Sequence, residues 1–114
     1  MIKIYHNPRC SKSREGLNIL AESGQDFQIV KYLDIPMEKE EIKEVLSLLG
    51  ISAEELIRKN EKDWKENYKD KKLSDDELIQ AMQEHPKLIE RPIVVCDETA
   101  VIGRPPEKIK DIIS

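Results

Sequence analysis

The sequence predicts an α/β fold: a four-stranded mixed sheet flanked by helices, with a helical insert between its two halves. Three observations carry this expectation. The chain opens on a strand, an amphipathic helix and a second strand. Its middle holds two complete helix-capping signatures, and its end holds two strand-like runs followed by a last helix.

The first strand comes from Ile2 and Ile4, which alternate with Lys3 and run into a turn at Asn7-Pro8. A helix follows from about Ser11 to Ser23, with Leu17, Leu20 and Ala21 at helical spacing and Gly24 as its C′ stop. Phe27 to Tyr32 reads as the second strand, with Phe27, Ile29 and Val30 apolar. Strand, helix and strand over so short a span form a βαβ unit, which implies a parallel pair and a right-handed crossover.

Asp34-Ile35-Pro36 breaks this pattern, and from about residue 34 to residue 86 the signals are all helical. Glu38 to Leu49 carries Ile42, Val45, Leu46 and Leu49 on one face and stops at Gly50. Ser52 with Glu55, and Ser74 with Glu77, are capping boxes that fix two helix starts. Ile51 with Leu56, and Leu73 with Leu78, are placed as their hydrophobic staples. Between them residues 59–72 are rich in charge, and Trp64 and Tyr68 fall four apart. That spacing reads as two anchoring rings on a solvated helix or loop rather than as a binding platform.

Pro86 is expected to end the insert. Arg91-Pro92 then leads into Ile93–Cys96, a β-branched run that reads as a buried strand; Asp97-Glu98 turns the chain and Thr99 to Ile102 returns beside it. Gly103 to Glu107 opens a last helix with proline in its first turn, and Ile109, Ile112 and Ile113 face inward. The order β-α-β, helical insert, β-β-α is that of the thioredoxin-like fold, in one domain over residues 1–114. A cis proline usually precedes the third strand of that fold, beside the active cysteine. Pro92 stands in that place, so a cis bond is expected there.

Composition narrows the function. The charged residues make up 37% of the chain but are mixed in sign, for a net charge of -4, which argues against a general nucleic-acid surface. No apolar run is long enough to span a bilayer, and the N-terminus has no signal-peptide core, so no membrane partner is expected. Two cysteines, Cys10 and Cys96, lie too far apart in sequence to suggest a disulfide framework. Both are expected to be reduced, in a cytoplasmic protein.

Cys10 is the candidate nucleophile. It falls where a helix begins, so free backbone N–H groups and the positive end of the helix dipole favour a thiolate. Lys3, Arg9, Lys12 and Arg14 are basic, and no carboxylate occurs before Glu15. The competing reading, an inert buried cysteine, explains neither the turn nor the basic island. Ser13 is one helical turn away and could hydrogen-bond the thiolate; His6 could stabilise it as imidazolium or orient the loop. Position 13 is serine, so there is no Cys-x-x-Cys pair, and any disulfide formed at Cys10 needs a partner thiol. Cys96 lies on a core strand and reads as a small hydrophobe.

Arg58, Arg91 and Arg104 are candidate anion ligands, because a guanidinium can pair two of its donors with two oxygens of a tetrahedral oxyanion. Arg91 and Arg104 each precede a proline, which favours extended backbone at the arginine. Spacing alone does not bring the three together.

These motifs resemble the arsenate reductases of the ArsC type, the glutaredoxin-coupled, thioredoxin-fold class. The resemblance covers nearly the whole chain, through Tyr5-His-Asn-Pro-Arg-Cys10-Ser-Lys-Ser-Arg14, Leu56-Ile-Arg-Lys-Asn60, Arg91-Pro-Ile-Val-Val95 and Gly103-Arg-Pro105. It implies that Cys10 is the catalytic cysteine. It further implies that Arg58, Arg91 and Arg104 bind the oxyanion, and that His6 and Ser13 help to keep the thiolate. The substrate implied is arsenate, with glutathione and glutaredoxin as external reductants and no bound metal or organic cofactor. Arg9 and Ser11-Lys12 depart from the small residue and Gly-Thr that flank the cysteine in well-known members. Two rival functions share the fold. One is a related thiol oxidoreductase with another oxyanion or thiol substrate. The other is an Spx-like regulator that binds RNA polymerase, a class that commonly carries the Cys-x-x-Cys switch missing here.

Overall fold

The computed structural model describes residues 1–113. In chain order the elements are β1 (Ile2–Tyr5), α1 (Ser11–Glu22), β2 (Phe27–Val30), α2 (Lys39–Leu49), α3 (Ala53–Leu56), α4 (Lys62–Asn67), α5 (Asp75–Glu84), a 3₁₀ turn (Pro86–Leu88), β3 (Ile93–Cys96), β4 (Thr99–Ile102) and α6 (Lys108–Ile113). Contacts divide the chain into two compact units, Met1–Asp34 with Arg91–Ser114, and Ile35–Glu90.

The first unit is the thioredoxin-like sheet with its helices. Its strand order is β2-β1-β3-β4. β1 runs parallel to β2 and antiparallel to β3, and β4 closes an antiparallel hairpin on β3. The mixed sheet is therefore the expected one. Ile4 lies opposite Val94, and Ile2 opposite Cys96, so one face of the sheet receives all four side chains. That face packs on Leu20 of α1 and Ile109 of α6, with Leu17, Phe27, Val101 and Ile112 at the margin. Each fully buried Ile or Leu there contributes about 1.5–3 kcal/mol.

Three local expectations are corrected here. β2 stops at Val30, because the chain turns from Lys31 to Asp34 and buries Tyr32 in that turn instead. Ala21 is exposed; α1 turns Ser13, Gly16 and Leu20 inward. The last helix starts at Lys108, later than Gly103 to Glu107 suggested. Pro106 disfavours helical backbone at Pro105, and neither proline has an N–H to donate, so turns from Pro105 to Glu107 precede the regular helix.

In the second unit both capping boxes form, with Ser52 Oγ accepting from the Glu55 amide and Ser74 Oγ accepting from the Glu77 amide. α2 buries Ile42, Val45 and Leu46 and ends at Gly50, whose φ of 68° is the left-handed conformation a C′ glycine supplies. α3 is a single turn. Ile57 leaves it extended and forms an antiparallel bridge with Ile89. Trp64 and Tyr68 stand with ring centroids 5.6 Å apart, and His85 meets Tyr68 edge-on. Burial, helped by Glu84 and Asp63, pushes the Tyr68 phenol up. Pro86 opens the 3₁₀ turn rather than ending the insert, since a fixed φ and a missing N–H suit a helix start.

Arg91–Pro92 is a cis peptide, as expected, and so is Arg104–Pro105, which nothing in the sequence signalled. The Pro92 ring packs with Ile109 against two glycines. A Cβ at Gly103 would lie 2.9 Å from Pro92 Cγ and 3.0 Å from Ile109 Cδ1, and one at Gly16 would lie 3.0 Å and 2.9 Å from the same atoms. Overpacking of this kind costs about 1–3 kcal/mol. In α1 an alanine recovers about 1 kcal/mol of helix propensity; Gly103 lies outside any helix, so that gain is absent there. Gly103→Ala is therefore expected to lower the urea midpoint more than Gly16→Ala, and the reverse order would refute this packing account.

Candidate active site

β1 delivers the loop that carries Cys10. The His6 amide continues the strand pairing by donating to Val30 O at 3.1 Å, after which the chain turns at Asn7. The Asn7 side chain accepts from the Arg9 amide at 3.0 Å, and its carbonyl accepts from the Cys10 amide at 3.0 Å. These two bonds make a tight Asx turn. Cys10 is the N-cap of α1, with φ -98° and ψ 123°, and its carbonyl accepts the first helical bond from the Arg14 amide. Its thiol does not cap the helix, and the first turn holds no acidic residue. The sulfur-bearing residue is 8% exposed, so it is sheltered without being sealed.

The cation on the sulfur comes from far away in the chain. Arg104 Nη2 donates to Cys10 Sγ at 3.8 Å, across 94 residues of sequence. Arg104 Nε is fixed at the same time by Arg91 O at 2.9 Å. A sharp turn after β4 sets this up, with the Gly103 amide on Pro92 O and the Arg104 amide on Ile102 O, both at 2.8 Å. Arg91 Nε is itself buried and has no hydrogen-bond acceptor. A buried N–H without a partner costs about 1–3 kcal/mol, so it marks a donor suited to an anionic ligand.

Two of the local basic residues have other partners. Arg14 Nη1 donates to Pro8 O at 3.2 Å and so braces the loop, while Lys12 pairs with Glu15 at 3.6 Å. His6 and Ser13 are buried together: His6 Nδ1 and Ser13 Oγ are 2.7 Å apart, and Ser13 Oγ also accepts from the Asn7 amide at 2.9 Å. The Ser13 proton has two destinations. It goes to Nδ1 when that nitrogen is bare, and becomes free for another acceptor when Nδ1 carries hydrogen. In either arrangement the pair ties the loop to the first turn of α1.

Arg58 belongs to the second unit and is the most heavily paired of the three arginines. Its Nη1 donates to Glu61 Oε2 at 2.7 Å, and its Nε lies 3.3 Å from Glu90 Oε1. Neither glutamate stood out in the sequence. A carboxylate three residues after an arginine was the available signal for Glu61; for Glu90 there was none. Cys96 is half-buried and packs against the sheet core. Among the described residues no group of three or more His, Cys, Asp or Glu side chains could hold a metal ion, and no helix is long and apolar enough to cross a membrane.

The ArsC family model matches residues 5–112, which span the cysteine loop and all three arginines. The chain belongs to the ArsC family. It is 44% identical to an arsenate reductase of Neisseria meningitidis, over 98% of this chain and 97% of that one. It is 52% identical to the protein YfgD of Escherichia coli K12, over 98% and 96% of the two chains. A solved arsenate reductase from Vibrio cholerae superposes with a TM-score of 0.93 at 49% identity, covering 98% of this chain and 97% of that structure.

In this ArsC-family loop burial holds the His6 imidazole below its ordinary value of 6.5; Arg14 and Lys31 push the same way, against the contact with Ser13. A depressed folded value means that the unfolded chain takes up this proton first. The His6 contribution to stability is therefore intact above about pH 6.5 and is lost as pH falls from there towards the folded value. Urea midpoints are expected to decline as pH falls below about 6.5, with a His6 share of at most about 1.4 kcal/mol per pH unit. His6→Gln is expected to flatten that decline; an unchanged slope would rule out His6 as its source.

Proposed function

We propose that this protein reduces arsenate to arsenite, with Cys10 as nucleophile and an external thiol system as reductant. The observation that carries this reading is Arg104 on the Cys10 sulfur beside Arg91, whose buried Nε has no acceptor. One guanidinium serves the thiolate and a second is open to the incoming oxyanion. Membership of a family whose relatives are named arsenate reductase supports the substrate.

In the first step the Cys10 thiolate attacks arsenic(V), an As–S bond forms, and a protonated oxygen leaves as water. Arg91 and Arg104 neutralise charge on the arsenate oxygens as that bond forms. Glutathione then displaces a second oxygen as water, so that arsenic(V) carries two sulfurs. A glutaredoxin thiolate attacks the glutathione sulfur and forms a mixed disulfide. The electron pair of the broken As–S bond passes to arsenic, giving arsenic(III). Hydrolysis of the remaining bond frees arsenite and returns the Cys10 thiolate. The lack of a second cysteine at position 13 fits this scheme, because the disulfide is completed outside the chain.

A coupled assay with glutathione, glutaredoxin, glutathione reductase and NADPH tests the reading. Cys10→Ser is expected to abolish arsenate-dependent NADPH oxidation while Cys96→Ser retains most of it; equal behaviour would defeat the assignment. Arg91→Ala is expected to lower arsenate kcat/KM by about 10²-fold, the usual cost of one anion-stabilising donor. Alkylation of Cys10 by iodoacetamide should change far less in that variant. Parallel losses in both readouts would assign Arg91 a structural role.

A further inference from the structure

Within the first unit, α1 and the chain from Pro105 to Lys110 leave a cleft between them. It encloses about 480 Å³, within the usual range for a small-ligand site. Lys12, Glu15 and Asn18 line it from α1, and Pro105, Glu107 and Lys110 line it from the other segment. Both walls start beside the nucleophile. Lys12 is two residues after Cys10, and Pro105 follows Arg104, whose Nη2 donates to the Cys10 sulfur.

The lining carries charge of both signs. Lys12 and Glu15 pair at 3.6 Å on exposed surface, where such a pair is weak. Glu107 and Lys110 fall three apart on one helical turn, with the Lys110 amide donating to Glu107 O at 3.0 Å. Among the described residues neither of these two side chains has an ion-pair partner. A free amino-acid group, with its ammonium and carboxylate on one carbon, would satisfy both at once. Glutathione carries that group at its glutamyl end. A tripeptide spans about 10 Å when extended, and α1 rises about 8 Å from Cys10 to Glu15. With its sulfur at Cys10, glutathione is therefore long enough to lay its glutamyl end in the cleft.

We propose that this cleft binds the glutamyl end of glutathione, its α-carboxylate on Lys110 and its ammonium on Glu107, and so delivers the glutathione sulfur to Cys10. This rests on the reading that glutathione is the thiol that meets Cys10. A neutral thiol finds no partner for either charge and lacks the anchorage.

Exchange with oxidised glutathione tests the cleft without arsenate. The Cys10 thiolate attacks one sulfur, a mixed disulfide forms, and the second glutathione leaves as its thiolate. Peptide mapping by mass spectrometry separates the Cys10 adduct from any on Cys96. Hydroxyethyl disulfide, which is neutral, gives the reference rate. The ratio of the two rates at physiological salt is expected to exceed that of N-acetylcysteine amide, a thiol with no cleft, about tenfold, the size of one charge-assisted hydrogen bond. Lys110→Glu is expected to remove that advantage. Lys108→Glu changes the net charge equally from an exposed position outside the lining, and its ratio should stay within about twofold of wild type, because salt screens distant charges. A wild-type ratio no higher than that of N-acetylcysteine amide, or the same ratio in Lys110→Glu and Lys108→Glu, would overturn the cleft. Selectivity that depends on Lys110 in a protein without arsenate-dependent NADPH oxidation would defeat the proposed reaction and leave the cleft standing. Coupled turnover with glutathione and a ratio indifferent to Lys110 would do the reverse.

Discussion

The contact between Arg104 and the Cys10 sulfur is the constraint around which the cysteine site of the first unit is organised. A thiolate at a helix start has N–H dipoles nearby, but here the only full charge at hydrogen-bond range of the sulfur, among the described residues, is this guanidinium. Its reach is set by a second bond, from Arg104 Nε to the carbonyl of Arg91. Two polar contacts of one side chain thus join the residue before Pro92, the end of β4 and the start of α1. Arg91 holds Arg104 through its backbone and keeps its own side-chain donor uncommitted.

Such an arrangement needs a rigid floor, and the packing under it supplies one. Pro92 and Ile109 sit against both Gly16 and Gly103, at distances that leave no room for a side chain on either. Gly16 lies on the helix that Cys10 caps, and Gly103 precedes Arg104. The nucleophile and its cation are therefore referenced to the same two side chains. Close packing of this kind transmits displacement rather than absorbing it, so core and site are one mechanical object.

The legible parts of the sequence were those whose physics is local. Both capping boxes, the stop at Gly50 and the β3–β4 hairpin depend on residues within a few positions of each other, and they formed where expected. Cys10 at the start of α1 was legible for the same reason. Ala21 misled because its spacing fits the apolar stripe, whereas Gly16 and Ser13 face inward, one for lack of space and the other for a partner in His6. The charges near Cys10 misled in a similar way. Lys12 and Arg14 are close in sequence, yet each is paired elsewhere, and the cation that reaches the sulfur is separated from it by the whole insert. Long-range pairing of that kind leaves no periodic trace.

The electrostatics of the proposed reaction divide among the arginines unequally. A thiolate and an arsenate oxyanion repel, so the approach of one to the other requires cationic donors aimed at both. Arg104 already gives its Nη2 to the sulfur, and Arg91 has a buried donor whose desolvation cost is recovered only when an acceptor arrives. Arg58, in the second unit, differs in kind: Glu61 and Glu90 compensate its charge within that unit.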